Sequence, residues 1–237
     1  MKYTVLATDY DGTLAKDGAV DDTTLDALRR LRASGRRLVM VTGRELRDLA
    51  LIFNHFELFD HIVAENGAVV YTPSTQSTRG LAAAPPQAFL DLLSQQNIGV
   101  SVGHCIVATF EPNEHAVLAA IRDLGMEWHV IFNKGAVMAL PANVTKATGL
   151  AAVLQEMDVS PENVVGVGDA ENDHAFVRRC GLSVAVSNAL PSLKANVDLI
   201  TQNARGAGVT ELIERLLAND LADVSPNPVV HDPLIEA

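Results

Sequence analysis

Apolar residues along this chain fall into two rhythms. Short unbroken runs, such as residues 3–8 and 38–42, read as strands buried on both faces. Between them apolar positions recur at helical spacing, as with Leu25, Leu28 and Leu31. The run over 3–8 leads to a predicted helix over 23–33, stopped by Ser34-Gly35. A strand over 38–42, a helix over 45–56 and a short strand over 62–64 follow, the last ending at Glu65-Asn66-Gly67. This alternation predicts an α/β fold built on a parallel sheet.

The rhythm changes after residue 71. Residues 68–71 read as strand, residues 72–80 are polar, and Pro85-Pro86 opens a helix through residue 95. Strands over 99–102 and 106–110 come next, with Gly103-His104 as a hairpin turn, then a helix over 113–123 and strands over 127–132 and 136–140. The helix–strand–strand order occurs twice, which predicts a small α+β insert, although the two halves share no sequence repeat. From residue 145 the first rhythm returns: helices over 147–157, 173–179, 191–195 and 209–219 alternate with strands over 164–167, 182–186 and 199–200. The expected organisation is a discontinuous core (1–71 and 144–219), an insert (72–143) and a tail (220–237). Pro226, Pro228 and Pro233 make the tail readable as a frayed terminus or as a linker to a tethered domain or partner.

Composition narrows the class. With 237 residues, 48% of them hydrophobic, the chain can bury a core without staples. Its two cysteines, Cys105 and Cys180, lie far apart and read as reduced, partly buried thiols. Residues 1–9 are too short for a signal-peptide core, and no apolar run is long enough to span a bilayer, so the expected location is cytoplasmic, with no membrane partner. A formal net charge of -11 disfavours nucleic acid and makes isolated cations such as Arg44 and Lys146 stand out.

Four short segments carry the candidate chemistry. Asp9-Tyr10-Asp11-Gly12-Thr13 follows the first strand, where an open parallel sheet binds its ligand. Two acids this close suit a division of labour between a nucleophile and an acid/base; taken alone, the segment also reads as a turn or a calcium loop. A second acidic cluster, Gly168-Asp169-Ala170-Glu171-Asn172-Asp173, follows a later strand. Convergence of Asp9, Asp11, Asp169 and Asp173 on one sheet edge calls for a divalent cation, and all-oxygen ligands favour magnesium over zinc. Glu171 reads as a solvated helix-start acid. Thr42-Gly43-Arg44 pairs a hydroxyl and a permissive glycine with the start of a helix, an anion site to which Arg44 either adds or is a solvated charge. Lys146 stands at a helix start, where the macrodipole disfavours a cation, and so points to an anionic partner unless it is an ordinary surface lysine.

In that order, Asp-x-Asp-Gly-Thr, Thr-Gly-Arg, Lys and Gly-Asp-x-x-Asn-Asp resemble the haloacid dehalogenase (HAD) superfamily. The insert and Glu65-Asn66-Gly67-Ala68 at its entry resemble the cap of the Cof-like, type IIB branch. The resemblance spans residues 1–219 and implies a Rossmann-like core with helices on both faces. It implies that Asp9 attacks phosphorus to form an aspartyl-phosphate, while Asp11 protonates the leaving alcohol and then activates water. Mg²⁺ would be held by Asp9, the Asp11 backbone carbonyl and Asp169, with Asp173 supporting it through water or from behind. Thr42 and Gly43 would bind phosphoryl oxygens, together with Arg44; Lys146 would pair with Asp9 and phosphate, and Asn172 would orient the group.

Transport ATPases of the superfamily carry threonine at the Asp11 position and dehalogenases lack the acid, so Asp11 implies a phosphatase or phosphomutase. The expected activity is hydrolysis of a small phosphorylated metabolite, a sugar phosphate or phosphoglycolate. A phosphohexomutase and a receiver-like phosphate-sensing module are the alternatives. His104, His115, Arg122, His129 and Lys134 in the insert are equally readable as surface residues, and none is advanced as a site.

Overall fold

The structure, a computed structural model, describes residues 1–133 and 135–227. Lys134 and the tail prolines Pro228 and Pro233 lie outside the described residues. An eight-stranded sheet forms the larger layer. Six of its strands are parallel: β1 (Val5–Thr8), β2 (Arg37–Val41), β3 (His61–Ala64), β10 (Val164–Gly168), β11 (Leu182–Ala185) and β12 (Leu199–Ile200). The other two, β4 (Val69–Thr72) and β5 (Ser77–Gly80), extend the sheet antiparallel beyond β3. The spatial order is β12-β11-β10-β1-β2-β3-β4-β5. Every residue of β1 and β10 is buried, as continuous apolar runs covered by helices on both faces require.

Helices α1 (Asp22–Ala33), α2 (Leu46–Ile52), α5 (Lys146–Glu156), α6 (His174–Val177), α7 (Pro191–Lys194) and α8 (Arg205–Asn219) belong to this layer. The Asp21 side chain caps α1 by accepting the Thr24 N–H, and Leu25, Ala27, Leu28 and Leu31 turn inward at helical spacing. A second, antiparallel sheet has the order β6-β7-β9-β8, from β6 (Ser101–Val102), β7 (Val107–Phe110), β8 (Trp128–Asn133) and β9 (Ala136–Pro141). Helices α3 (Gln87–Gln95) and α4 (Glu114–Asp123) cover one face of it through Phe89, Leu93, Val117 and Ile121. The opposite face meets the large sheet through Ile106, Met138 and Leu140 against Ala64, Ala68 and Val69.

Three sequence expectations are corrected. Residues 77–80, assigned to the insert, pair with β4 as an edge strand of the large sheet. Their side chains are all exposed, so no apolar pattern marks them. Helix α8 begins at Arg205, earlier than the expected residue 209. Residues 220–227, expected as tail, pack on the core: Leu221 is buried, Asp220 pairs with Arg36, and the Asn227 N–H donates to Asp198.

Candidate active site

The chain leaves β1 for β2 and β3 on one side and later returns through β10, β11 and β12 on the other. The C-terminal ends of β1 and β10 therefore flank the point where strand order reverses, the usual ligand crevice of an open parallel sheet. Asp9 directly follows β1 and Asp169 directly follows β10. Gly12 has φ of 90°, and a Cβ there would lie 2.3 Å from Asp169 Oδ2, so glycine lets the first loop close on the second.

Asp9, Asp169 and Asp173 are all buried, with one carboxylate oxygen of each within 4.8 Å of the others. Lys146 reaches across from α5 and donates to Asp9 Oδ1 and Asp173 Oδ1, both at 2.6 Å. Its anionic partner is thus the acid cluster itself. Asp173 is fully committed, since its other oxygen accepts the N–H groups of Asp169 and Ala170 at 2.8 and 2.9 Å. It fits a supporting position better than a direct ligand's.

Among the described residues Lys146 is the ammonium that meets this cluster, through Asp9 and Asp173. Burial pushes Asp9 up to about 8, against the pull of Lys146, and the Asp173 and Asp169 charges push the same way. Burial works to lower the Lys146 pKa, but Asp173 and Asp9 hold it above its usual value. The all-carboxylate donor set fits a hard divalent cation.

The Asp11 carboxylate stands apart from this cluster. Arg44 holds it at both oxygens, Nε to Oδ2 at 2.6 Å and Nη2 to Oδ1 at 2.7 Å. Sequence left Arg44 as a phosphate contact or a solvated charge, and its partner here is the second acid of the first motif. The segment Thr42-Gly43-Arg44 stands ahead of the helix it was expected to open. Helix α2 starts only at Leu46, and the Arg44 N–H is used on Thr42 Oγ1 at 3.1 Å.

Asp9, Asp11, Gly43, Arg44, Lys146, Asp169 and Asn172 line one chamber of about 150 Å³, with Ala136 and Met138 of β9 completing its wall. Thr42 lies buried behind it. A larger cleft of about 530 Å³ between α2 and the β6–β7 turn contains none of the motif acids, so the smaller chamber is the candidate site. Asn66 was not advanced from sequence as a site residue. Fully buried at φ of 53°, it accepts from Asn172 Nδ2 at 2.9 Å and donates to Met138 Sδ at 3.3 Å. The Asn-Gly pair that ends β3 was the available signal, because such pairs favour left-handed backbone.

The family model for haloacid dehalogenase-like hydrolases matches residues 6–116 and 129–213. The chain belongs to this family. Among curated relatives, a phosphoglycolate phosphatase of Methanothermobacter thermautotrophicus is 29% identical over 90% of this chain and 98% of its own length. One of Haloarcula marismortui is 30% identical over 88% and 95%. A haloacid dehalogenase-like hydrolase from Bacteroides thetaiotaomicron shares the fold with a TM-score of 0.78 at 18% identity, over 90% of this chain and 99% of that one. A HAD subclass IIB sugar phosphatase does so with a TM-score of 0.72 at 17% identity, over 90% and 98%. The small sheet and its helices are the cap of this HAD fold, and the chain is a HAD-type phosphatase. No helix among the described residues is long and apolar enough to cross a membrane.

Proposed function

We propose that this phosphatase hydrolyses small phosphomonoesters of the phosphoglycolate or sugar-phosphate type through an aspartyl-phosphate on Asp9, with Mg²⁺ as its metal and the cytoplasm as its location. The observation that carries the reading is the buried cluster of Asp9, Asp169 and Asp173 around Lys146, with a second acid, Asp11, on the same chamber wall. Mg²⁺ held by Asp9, Asp169 and the Asp11 backbone carbonyl would neutralise charge on the phosphoryl oxygens. The relatives named phosphoglycolate phosphatases and the small chamber support a compact substrate.

In the proposed cycle Asp11 enters protonated, with one oxygen released from Arg44; an Asp9 oxygen attacks phosphorus, and the departing alkoxide takes that proton. Asp11 then accepts a proton from water as that water attacks the phosphoryl group. The Asp9–phosphorus bond breaks, releasing inorganic phosphate and restoring the carboxylate. Lys146 fixes Asp9 and offers positive charge to the phosphoryl oxygens. The Gly43 N–H and the Asn172 amide hold that group in line, and the Thr42 hydroxyl behind them accepts the Arg44 N–H. Asp173 keeps Lys146 and the Asp169 backbone in place, and Arg44 aims Asp11.

The test is phosphate release from 2-phosphoglycolate, sugar phosphates and p-nitrophenyl phosphate in Mg²⁺ or EDTA, with Asp9→Asn alongside. Turnover that requires metal and vanishes in the variant is expected. Isomerisation of a sugar phosphate without phosphate release would replace the reading with a mutase.

A further inference from the structure

The turn that ends β3, residues 65–67, touches three segments of the candidate site at once. The Glu65 N–H donates to the Arg44 carbonyl at 2.9 Å, and the Asn66 N–H donates to the Thr42 carbonyl at 3.0 Å. A Cβ at Gly67 would lie 1.9 Å from the Thr145 carbonyl oxygen, so glycine lets the turn close on the residue before Lys146. A Cβ at Gly43 would lie 3.1 Å from Asn66 Oδ1, so the Asn66 amide rests against the Gly43 backbone. The third contact is with Asn172 and runs through the Asn66 side chain. That side chain is fully buried and leaves from a left-handed backbone that asparagine tolerates.

The Asn66 amide lies between a residue of the core and one of the cap. Its Nδ2 donates to Met138 Sδ at 3.3 Å, and its Oδ1 accepts from Asn172 Nδ2 at 2.9 Å. A thioether accepts hydrogen bonds and cannot donate them, whereas the two ends of an amide have opposite roles. The Met138 sulfur thus selects which end of Asn66 faces the cap, and with Nδ2 on the sulfur, Oδ1 is turned to Asn172. Facing an acceptor, Asn172 must present its nitrogen, and the second N–H of that nitrogen remains for another partner. Reversing the chain would set the Asn66 carbonyl oxygen against the sulfur, two acceptors with no proton between them. It would also bring the Asn172 carbonyl oxygen to where its nitrogen stands. Met138 and Asn172 both line the catalytic chamber.

We propose that Asn66 and Met138 are positioning residues: the seated cap sets the polarity of the Asn172 amide, so that an N–H and not a carbonyl oxygen meets the phosphoryl group. The inference rests on the proposed role of Asn172 in holding that group. Anionic phosphoryl oxygens accept hydrogen bonds, so the amide nitrogen attracts them and the carbonyl oxygen repels them. The effect of Met138 passes through two amides and requires no contact with substrate. Because Met138 belongs to the cap, the hold on the phosphoryl group is complete only with the cap seated.

The experiment compares two substitutions by kcat/KM for p-nitrophenyl phosphate in Mg²⁺ and by urea unfolding. Met138→Leu nearly conserves volume and removes the acceptor. Met138→Gln restores an acceptor oxygen but buries an amide beside Ile106 and Leu140. We expect kcat/KM to fall about fivefold or more in Met138→Leu and to stay within about twofold in Met138→Gln. Stability is expected in the opposite order, with Met138→Gln the weaker fold, so packing alone cannot produce the pattern. In an Asn172→Ala background the two Met138 variants should give equal kcat/KM, since the group they act through is gone. Met138→Leu at least as active as Met138→Gln, or a gap between them that survives in that background, overturns the relay and leaves the phosphatase standing. If wild type releases phosphate from neither this ester nor 2-phosphoglycolate, both readings fall.

Discussion

Arg44 grips both oxygens of Asp11, at 2.6 and 2.7 Å, in a pair that is about one-third exposed on each side. A planar guanidinium meeting a carboxylate at two points fixes its direction as well as its distance. Lysine would keep the charge and lose the fork. For Asp11 as the proton donor, Arg44→Lys should therefore act through the leaving group. We expect kcat/KM to drop by about tenfold or more for ethyl phosphate, whose alkoxide needs a proton. For p-nitrophenyl phosphate, whose phenolate leaves without one, the loss should be several-fold smaller. A series of esters graded by leaving-group basicity reads this directly, and equal losses across it would remove Asp11 from proton transfer or Arg44 from aiming it.

Lys146 is buried between Asp9 and Asp173, both of which it touches at 2.6 Å. Removing one partner of a buried ionic cluster leaves uncompensated charge and costs about 3–5 kcal/mol. Lys146→Met keeps most of the volume, so urea unfolding in EDTA should show a loss of that order. A loss below about 1 kcal/mol would mean that the acids take up protons from solvent and become neutral without the lysine.

Mg²⁺ that binds the folded chain alone must raise its melting temperature by mass action. We expect such a rise in wild type at millimolar Mg²⁺ and none in Asp169→Asn, where one buried carboxylate of the cluster is gone. The readout is thermal, so it separates metal binding from turnover. An equal rise in both proteins would place the ion elsewhere.

These residues were legible because their positions follow from topology. An acid directly after a central apolar strand must lie at the sheet's ligand edge, and Asp9 and Asp169 do. The partner of Arg44 was not legible, since the choice between Asp11, phosphate and solvent depends on a loop geometry that periodicity does not encode. Gly206 and Gly208 hid the first turn of α8. Glycine weakens a helix in isolation, yet here both close against neighbours, Thr24 and Leu14 for one and Asn203 and Thr201 for the other. Strand β5 was invisible for a related reason: Ser77, Thr78 and Arg79 are exposed, and only pairing with β4 makes them strand. Leu221 looked like the start of a tail, and its burial becomes apparent only once Asp220 ends α8 in the left-handed region.

Glu65 ties the core to the cap. Its buried carboxylate accepts the backbone N–H groups of His104, Cys105 and Ile106 at 2.8, 2.9 and 3.2 Å. Glutamine offers one acceptor oxygen and sets an N–H₂ against a donor, so Glu65→Gln should cost about 1–3 kcal/mol. Hydrogen exchange at those three amides should quicken by more than the global loss accounts for, whereas exchange in β10 should follow the global loss. Uniform acceleration would show that the contact does not act locally.

Asp220 closes the C-terminal end of α8 at φ of 56°, accepts from Arg36 at 2.8 Å, and also takes the Lys2 N–H. Burial works to raise its pKa, but Arg36 and the backbone donors of Lys2 and Tyr3 outweigh that and hold the carboxyl below its usual 3.8. A carboxylate lowered in the folded state stabilises the fold above its unfolded pKa, and the contribution is lost as pH falls through the folded value. Asn tolerates left-handed backbone, so Asp220→Asn removes the charge and spares the turn. Urea unfolding at pH 7 should show the variant about 1 kcal/mol less stable, and the two curves should converge as pH falls through the lowered folded value. A gap that persists undiminished into acid would assign the loss to packing of Leu221 against the core.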